Sequence, residues 1–406
     1  MKSVLQILAT VWVLYVPALA QSVPSDVGNF YPFLSSYANQ QPMSLSFLSK
    51  QWPEVEQWRI QGRSKMLELL AYDPAPASSK PEILDQTVKS GYTRYRVQLP
   101  ISSNRRTEAF LLIPHGLTKP APAVVAIHDH GGFYYFGKEK ITETENPPQI
   151  LQDFIERSYG GRTYADELAR RGFVVLVPDG FYFGSQRLDH SKLDGRWTKT
   201  LKDLDPGSDA YIRAFNRMAS GHETLVAKTI FSAGTTWPGI LFQGDREAVD
   251  YLLTRAEVDP ERIGCIGLSI GGFRSAHLAG LDPRIKAAVV AGWMTTYSSL
   301  LLDHLRNHTW MIYVPQQLRY LDLPDVVSLN APAPLMIVNC RKDGLFTMAG
   351  MRAAESQLST IYEKLGAPGR FKCNYYDVPH SFGIDMQNDA IAWLEKWLLW
   401  SLRDRQ

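Results

Sequence analysis

Three residues of this chain have the types and the spacing for nucleophilic hydrolysis: Ser269, Asp343 and His380. Ser269 stands in Gly267-Leu268-Ser269-Ile270-Gly271, a G-x-S-x-G match, after the apolar run 263–268 and before the helix-like stretch 273–279. A strand that enters a helix through so tight a turn leaves the serine in strained backbone and requires small residues two before and two after it. Gly267 and Gly271 meet that demand, and Gly272 lets the helix approach the sheet. A bare G-x-S-x-G reads equally well as a glycine-rich turn with a surface serine. The strand before it and the helix after it favour the nucleophile.

A serine hydroxyl is weak at neutral pH and needs a base, which in turn needs an orienting acid. The run 335–340 leads into Arg341-Lys342-Asp343-Gly344, which puts Asp343 in a turn at a strand's end. The strand-like 371–378 leads into Pro379-His380-Ser381-Phe382, which puts His380 at the corresponding place one strand on. Alone, Asp343 could be a turn aspartate and His380 a neighbour of a helix cap. The order serine, acid, histidine, each at a strand's end, favours a triad. The oxyanion hole needs two backbone N–H groups, one from Ile270 and one from the loop Ile127-His128-Asp129-His130-Gly131-Gly132. Gly132 is the first choice there and Gly131 the second, since neither carries a Cβ to obstruct the substrate oxygen.

These residues must be held by a sheet. Apolar runs at 121–127, 173–178, 263–268, 285–291, 334–338 and 371–378 alternate with helical patterns at 164–171, 246–255 and 350–365. A terminal helix places Ile391, Leu394, Leu398 and Leu402 on one face. Such alternation predicts an α/β fold, a mostly parallel sheet with helices on both faces. The segments 92–99 and 108–114 look like an antiparallel edge hairpin. Residues 21–85 read as an N-terminal extension, a helical cap or arm with its helix at 52–70, and 86–406 as one catalytic domain. Three long segments, 133–161, 186–243 and 295–331, leave strand ends, where active sites of α/β sheets form. Their aromatic rings would wall a mostly apolar pocket, with His130, Tyr134 and Trp293 as candidate substrate contacts.

Lys2, an apolar run over 4–16 and Pro17-Ala18-Leu19-Ala20 predict a signal peptide, residues 1–20, cut before Gln21. The mature protein is then secreted or periplasmic, with no membrane span. Lys and Arg number 43 against 41 Asp and Glu, a balance that argues against nucleic acid as partner. The partner expected is a small-molecule or carbohydrate ester. Cys265, Cys340 and Cys373 sit in apolar strand-like runs and read as buried thiols, although one bridge between two of them is compatible with the sequence. His128 and His130 would point to opposite sides of an extended chain, and His304 and His308 lack the glutamate of the zinc-protease pattern, so no metal or other cofactor is expected. Asn307-His308-Thr309 matches a glycosylation sequon, which matters only in a eukaryotic source.

A family resemblance rests on the loop 127–132, the Asp-Pro-Glu-Arg-Ile-Gly lead-in at 259–264, Gly267-Leu268-Ser269-Ile270-Gly271-Gly272, the Asp343 turn and His380. Over about residues 86–402 the chain resembles α/β-hydrolases of the dienelactone hydrolase-like group. Within that group it looks most similar to exported bacterial proteins grouped with acetyl xylan esterases and cephalosporin C deacetylases. The resemblance implies a serine esterase with a Ser269–Asp343–His380 triad. Two features depart from it. Dienelactone hydrolases proper generally use a cysteine nucleophile. The small acetyl esterases usually carry an Arg-Gly-Gln type motif before the elbow, where this chain has Asp179-Gly180-Phe181-Tyr182-Phe183-Gly184-Ser185-Gln186-Arg187. The rival readings are a prolyl oligopeptidase-like peptidase, for whose propeller residues 21–85 are too few, and a non-catalytic binding protein on a hydrolase fold, which would normally lack triad members.

Overall fold

The computed structural model describes residues 24–49 and 52–399. The expected leader and its cleavage site lie outside the described residues, as does Leu402. Nine strands form one sheet: β1 (Glu82–Lys89), β2 (Tyr92–Ser102), β3 (Arg105–Pro114), β4 (Ala121–Ile127), β5 (Val174–Pro178), β6 (Val258–Leu268), β7 (Ile285–Ala291), β8 (Leu335–Cys340) and β9 (Phe371–Tyr376). Their spatial order is β1-β2-β3-β5-β4-β6-β7-β8-β9. The pairs from β1 to β5 are antiparallel, and every pair from β5 through β4 to β9 is parallel. β4 therefore has β5 on one side and β6 on the other. The crevice at the carboxyl ends of β4 and β6 is the switch point of the sheet, where ligands of α/β proteins bind.

The helices are α1 (Tyr31–Asn39), α2 (Val55–Leu70), α3 (Gln149–Tyr159), α4 (Tyr164–Arg170), the single turn α5 (Gly195–Thr198), α6 (Asp209–Ser232), α7 (Trp237–Leu253), α8 (Ile270–Leu281), α9 (Leu323–Ser328), α10 (Met348–Lys364) and α11 (Ile384–Leu394). Along β4, Val125 and Ile127 pack into one core with Leu241 and Phe273, while Val124 and Ala126 pack into a second with Leu168 and Leu394. Successive side chains leave a strand on opposite faces, and both faces here are covered by helices. That is why β4 reads as an unbroken apolar run.

Three expectations need correction. The hairpin of β2 and β3 is not at the edge: β1 pairs outside β2, and β3 lies against β5. β1 was invisible to hydrophobic patterning because it is held by its ladder, with Ile83 and Val88 exposed. It also straddles the division drawn between residues 85 and 86. The segment 186–243, read as loop, contains all of α6, whose Ile212, Phe215, Ala219, Ala227 and Ile230 are buried. The arm preceding the sheet docks through α2: Arg63 donates from Nε to Gly280 O (3.1 Å) and from Nη2 to Leu329 O (3.0 Å).

Candidate active site

Ser269 directly follows β6 with φ 59° and ψ −122°, a conformation that costs a non-glycine residue about 1–3 kcal/mol and persists only where its surroundings enforce it. Here the surroundings are backbone. A Cβ on Gly267 would meet the Gly271 carbonyl oxygen at 2.4 Å, one on Gly271 the Ile127 oxygen at 2.3 Å, and one on Gly272 the Ala291 oxygen at 2.5 Å. The Ser269 N–H donates to Ala291 O at 2.9 Å, tying the elbow to β7. Ile270 is the first residue of α8, so its N–H is among those a helix start leaves for a ligand, at the positive end of the dipole. Arg274, one turn on, forms a two-point ion pair with Asp245 of α7, buried at both partners.

Asp343 and His380 arrive from the next strands. Asp343 follows β8; its Oδ1 accepts the Leu345 N–H (2.9 Å) and its Oδ2 lies 2.6 Å from His380 Nδ1. The carboxylate thus fixes Nδ1 as the protonated nitrogen and leaves Nε2 as a lone pair. His380 Nε2 is buried without a hydrogen-bond partner, on the cavity that Ser269 also lines. Gly292, with φ +56°, gives the imidazole room: a Cβ there would stand 3.0 Å from His380 Cε1. Ser269 Oγ makes no hydrogen bond to Nε2 here, and such bonds commonly close only around substrate.

The loop after β4 is anchored from below. His128 is buried and neutral: burial drives its pKa well below the usual value, its Nδ1 donates to Asp129 O, and its Nε2 accepts the Gly180 N–H. Tyr159 donates to Asp129 Oδ1 at 2.6 Å. The ammonium of Lys140, fully buried, holds the carbonyls of Asp129 and His130. Gly131 (φ +53°) and Gly132 (φ +66°) both occupy the left-handed region. Only Gly131 is also sterically closed, with Phe154 and the Asp129 carboxylate 2.5 Å from its would-be Cβ. The Gly132 N–H, the donor expected for the oxyanion, is engaged by His130 Nδ1 at 3.0 Å.

These parts enclose a cavity of about 370 Å³ lined by Ser269, His380, Ile270 and Gly132, together with His130, Tyr134 and Trp293. One residue of its wall, Glu223, is not marked in the sequence. Glu223 of α6 accepts from His130 Nε2 (2.7 Å), Tyr134 Oη (2.7 Å) and Thr309 Oγ1 (2.9 Å). Burial is the largest influence on its carboxyl and acts to raise the pKa, yet these hydrogen bonds hold it below the usual range. The apolar spacing within 209–232 signals the helix, but nothing in the sequence pairs Glu223 with a histidine some ninety positions earlier. The histidines at i, i+4 spacing are engaged singly, His304 with Asp303 and His308 with Leu345 O. Among the described residues no group of three or more His, Cys, Asp or Glu is arranged to hold a metal ion. The three cysteines are free thiols; Cys265 and Cys340 are buried and Cys373 is partly exposed.

The dienelactone hydrolase family model matches residues 161–397, more than half of the chain. The chain belongs to the dienelactone hydrolase family. A dienelactone is a cyclic carboxylic ester, and membership makes the chain a carboxylic ester hydrolase. The matched span carries the elbow, Asp343 and His380, whereas the oxyanion loop precedes it. A curated relative, the protein named as hydrolase YtaP of Bacillus subtilis (strain 168), is 25% identical over 301 residues, 74% of this chain and 86% of its own. A Bacteroides fragilis NCTC 9343 structure described as an acetyl xylan esterase superposes with TM-score 0.64 at 17% identity, covering 86% of this chain and 84% of that one. The glucuronoyl esterase from Solibacter usitatus gives 0.57 at 17%, covering 87% and 97%. At these identities the two structures establish the common fold.

Proposed function

We propose that this member of the dienelactone hydrolase family is an exported serine esterase that acts through an acyl-enzyme on Ser269. The observation that carries the reading is the meeting of three strand ends at one cavity: a strained serine, an unpartnered imidazole nitrogen, and a carboxylate 2.6 Å behind that imidazole. His380 Nε2 takes the Ser269 proton as Oγ attacks the ester carbonyl. Asp343 holds the tautomer and offsets the imidazolium charge. The N–H groups of Ile270 and Gly132 receive the oxyanion, the latter by exchange from His130. The alkoxide leaves with the proton from His380, and a water activated by the same nitrogen then frees the acid.

The substrate class is a carbohydrate ester, in keeping with the acetyl xylan and glucuronoyl esters named for the two structural neighbours. Aromatic side chains line the cavity beside polar groups such as Asn307 and Thr309, a mixed surface suited to a sugar. Export rests on the leader sequence and predicts a mature chain beginning at Gln21; recovered protein that retains Met1 would refute it. Ser269→Ala tests the mechanism. Activity on a chromogenic short-chain ester should fall to the residual roughly 10³–10⁴ over water that binding and an oxyanion hole supply. A fluorophosphonate should label wild type at Ser269 and not the variant. Robust turnover by pure Ser269→Ala protein, or preferential cleavage of a peptide anilide by wild type, would overturn the proposal.

A further inference from the structure

The cavity that Ser269 lines carries an uncompensated charge. Among the described residues no Lys or Arg lines it, and two carboxylates outside the triad do, those of Asp129 and Glu223. Asp129 has a counter-ion, the buried Lys140 ammonium 3.6 Å away. Glu223 is bonded to His130, Tyr134 and Thr309. Of these only His130 could be cationic, and in the hydrogen-bond arrangement present its Nδ1 is an acceptor. Its Nδ1 accepts the Gly132 N–H and so carries a lone pair, which leaves the ring's one proton on Nε2, in the bond to Glu223. In that tautomer the imidazole brings no full positive charge to the carboxylate. A full negative charge remains on the wall of a part-enclosed pocket, where screening by water is weak.

We infer that Glu223 is a specificity-determining residue of the Ser269 pocket, admitting neutral esters and rejecting those that carry a second, free carboxylate. The inference rests on Ser269 as the nucleophile of this pocket. Glu223 Oε2 accepts from Thr309 and keeps a second lone pair, so a hydroxyl of a neutral, polyhydroxylated substrate has an acceptor there, whereas an anion meets repulsion. Selection is by charge and acts on substrate approach and on the acyl-enzyme alike.

The test compares kcat/KM for p-nitrophenyl acetate with that for p-nitrophenyl hemisuccinate, one neutral ester and one anionic. Glu223→Gln keeps the shape and every hydrogen bond: the amide oxygen can accept from His130 and Tyr134, and the amide nitrogen can donate to the Thr309 hydroxyl. The anionic-to-neutral ratio should rise roughly tenfold in Glu223→Gln, as removal of a unit charge at short range in a poorly screened site requires. Glu223→Asp, which keeps the charge and disturbs the geometry, should stay near the wild-type ratio. A ratio is blind to the fraction of folded enzyme, so a merely structural role would not move it. Ser220→Lys is an independent variant on an exposed position of α6 that also lines the cavity, and it should raise the ratio too. An unchanged ratio in Glu223→Gln, or an equal rise in Glu223→Asp, overturns the inference. Ser269→Ala separates the two readings: turnover retained there defeats the nucleophile, whereas loss of turnover there with an unchanged Glu223→Gln ratio defeats only the charge selection.

Discussion

Removing the carboxylate of Asp245 should destabilise the protein strongly while leaving every reacting group in place. Arg274 donates to it from Nε at 2.9 Å and from Nη2 at 2.5 Å, and neither side chain is more than 3% exposed. The third guanidinium nitrogen, Nη1, is buried without a partner. Burial lifts the Asp245 carboxyl above its usual range against the pull of Arg274, so desolvation offsets most of the pair's attraction. An intact pair of this kind adds little to stability. A broken one leaves a guanidinium in the core. Asp245→Ala should therefore cost about 3–5 kcal/mol. With an unfolding entropy of about 2.1 cal/mol/K per residue, the described chain gives roughly 0.8 kcal/mol/K, so Tm should fall by about 4–6 °C. Calorimetry at pH 7 on wild type, Asp245→Ala and the double variant Asp245→Leu/Arg274→Met measures this. The double variant should recover most of the loss, since it removes both buried charges. A single variant within about 1 °C of wild type, or a double as unstable as the single, would refute the reasoning.

Asp343→Asn should leave Tm unchanged and lower kcat by roughly 10⁴. Its amide oxygen can still accept the Leu345 N–H, which turns the NH₂ toward His380 Nδ1 and forces the proton to Nε2, the nitrogen that must be the base. Near-normal kcat would mean that another carboxylate orients the imidazole. Burial depresses His277 to about pKa 4, with its Nδ1 donating to Phe273 O. Between the unfolded value of about 6.5 and the folded one, the unfolded chain binds a proton that the native state does not, so stability falls as pH drops through that window. The Tm advantage of wild type over His277→Gln should accordingly shrink from pH 7.5 to pH 5, and a constant gap would refute it.

The strand-end placement of Ser269, Asp343 and His380 was legible because each follows a strand and a turn, features written within a dozen contiguous residues. The opposed directions of His128 and His130 were legible for the same local reason: one turns beneath the sheet's end onto Gly180, the other toward the cavity. β1 was not legible, because an edge strand fastened by backbone hydrogen bonds needs no hydrophobic signature; its Val88 is 71% exposed. Glu223 was not legible either. Its environment is set by Tyr134, His130 and Thr309, and no period or motif relates residues that distant in the chain. The sequence shows which residues end strands, whereas the packing of α6 determines which of them share a wall.

The bond between the Gly132 N–H and His130 bears on how the rate is distributed between binding and chemistry. An imidazole nitrogen is a stronger acceptor than the carbonyl oxygen of a neutral ester, and more so when its other nitrogen donates to a carboxylate, as His130 does to Glu223. With Gly132 as the oxyanion donor, a substrate at rest gains little by taking that N–H from the ring. The tetrahedral oxyanion, which outbids the imidazole, gains nearly the full interaction. The donor then contributes to kcat and hardly to KM, because its own neighbour withholds it until charge has developed on the substrate.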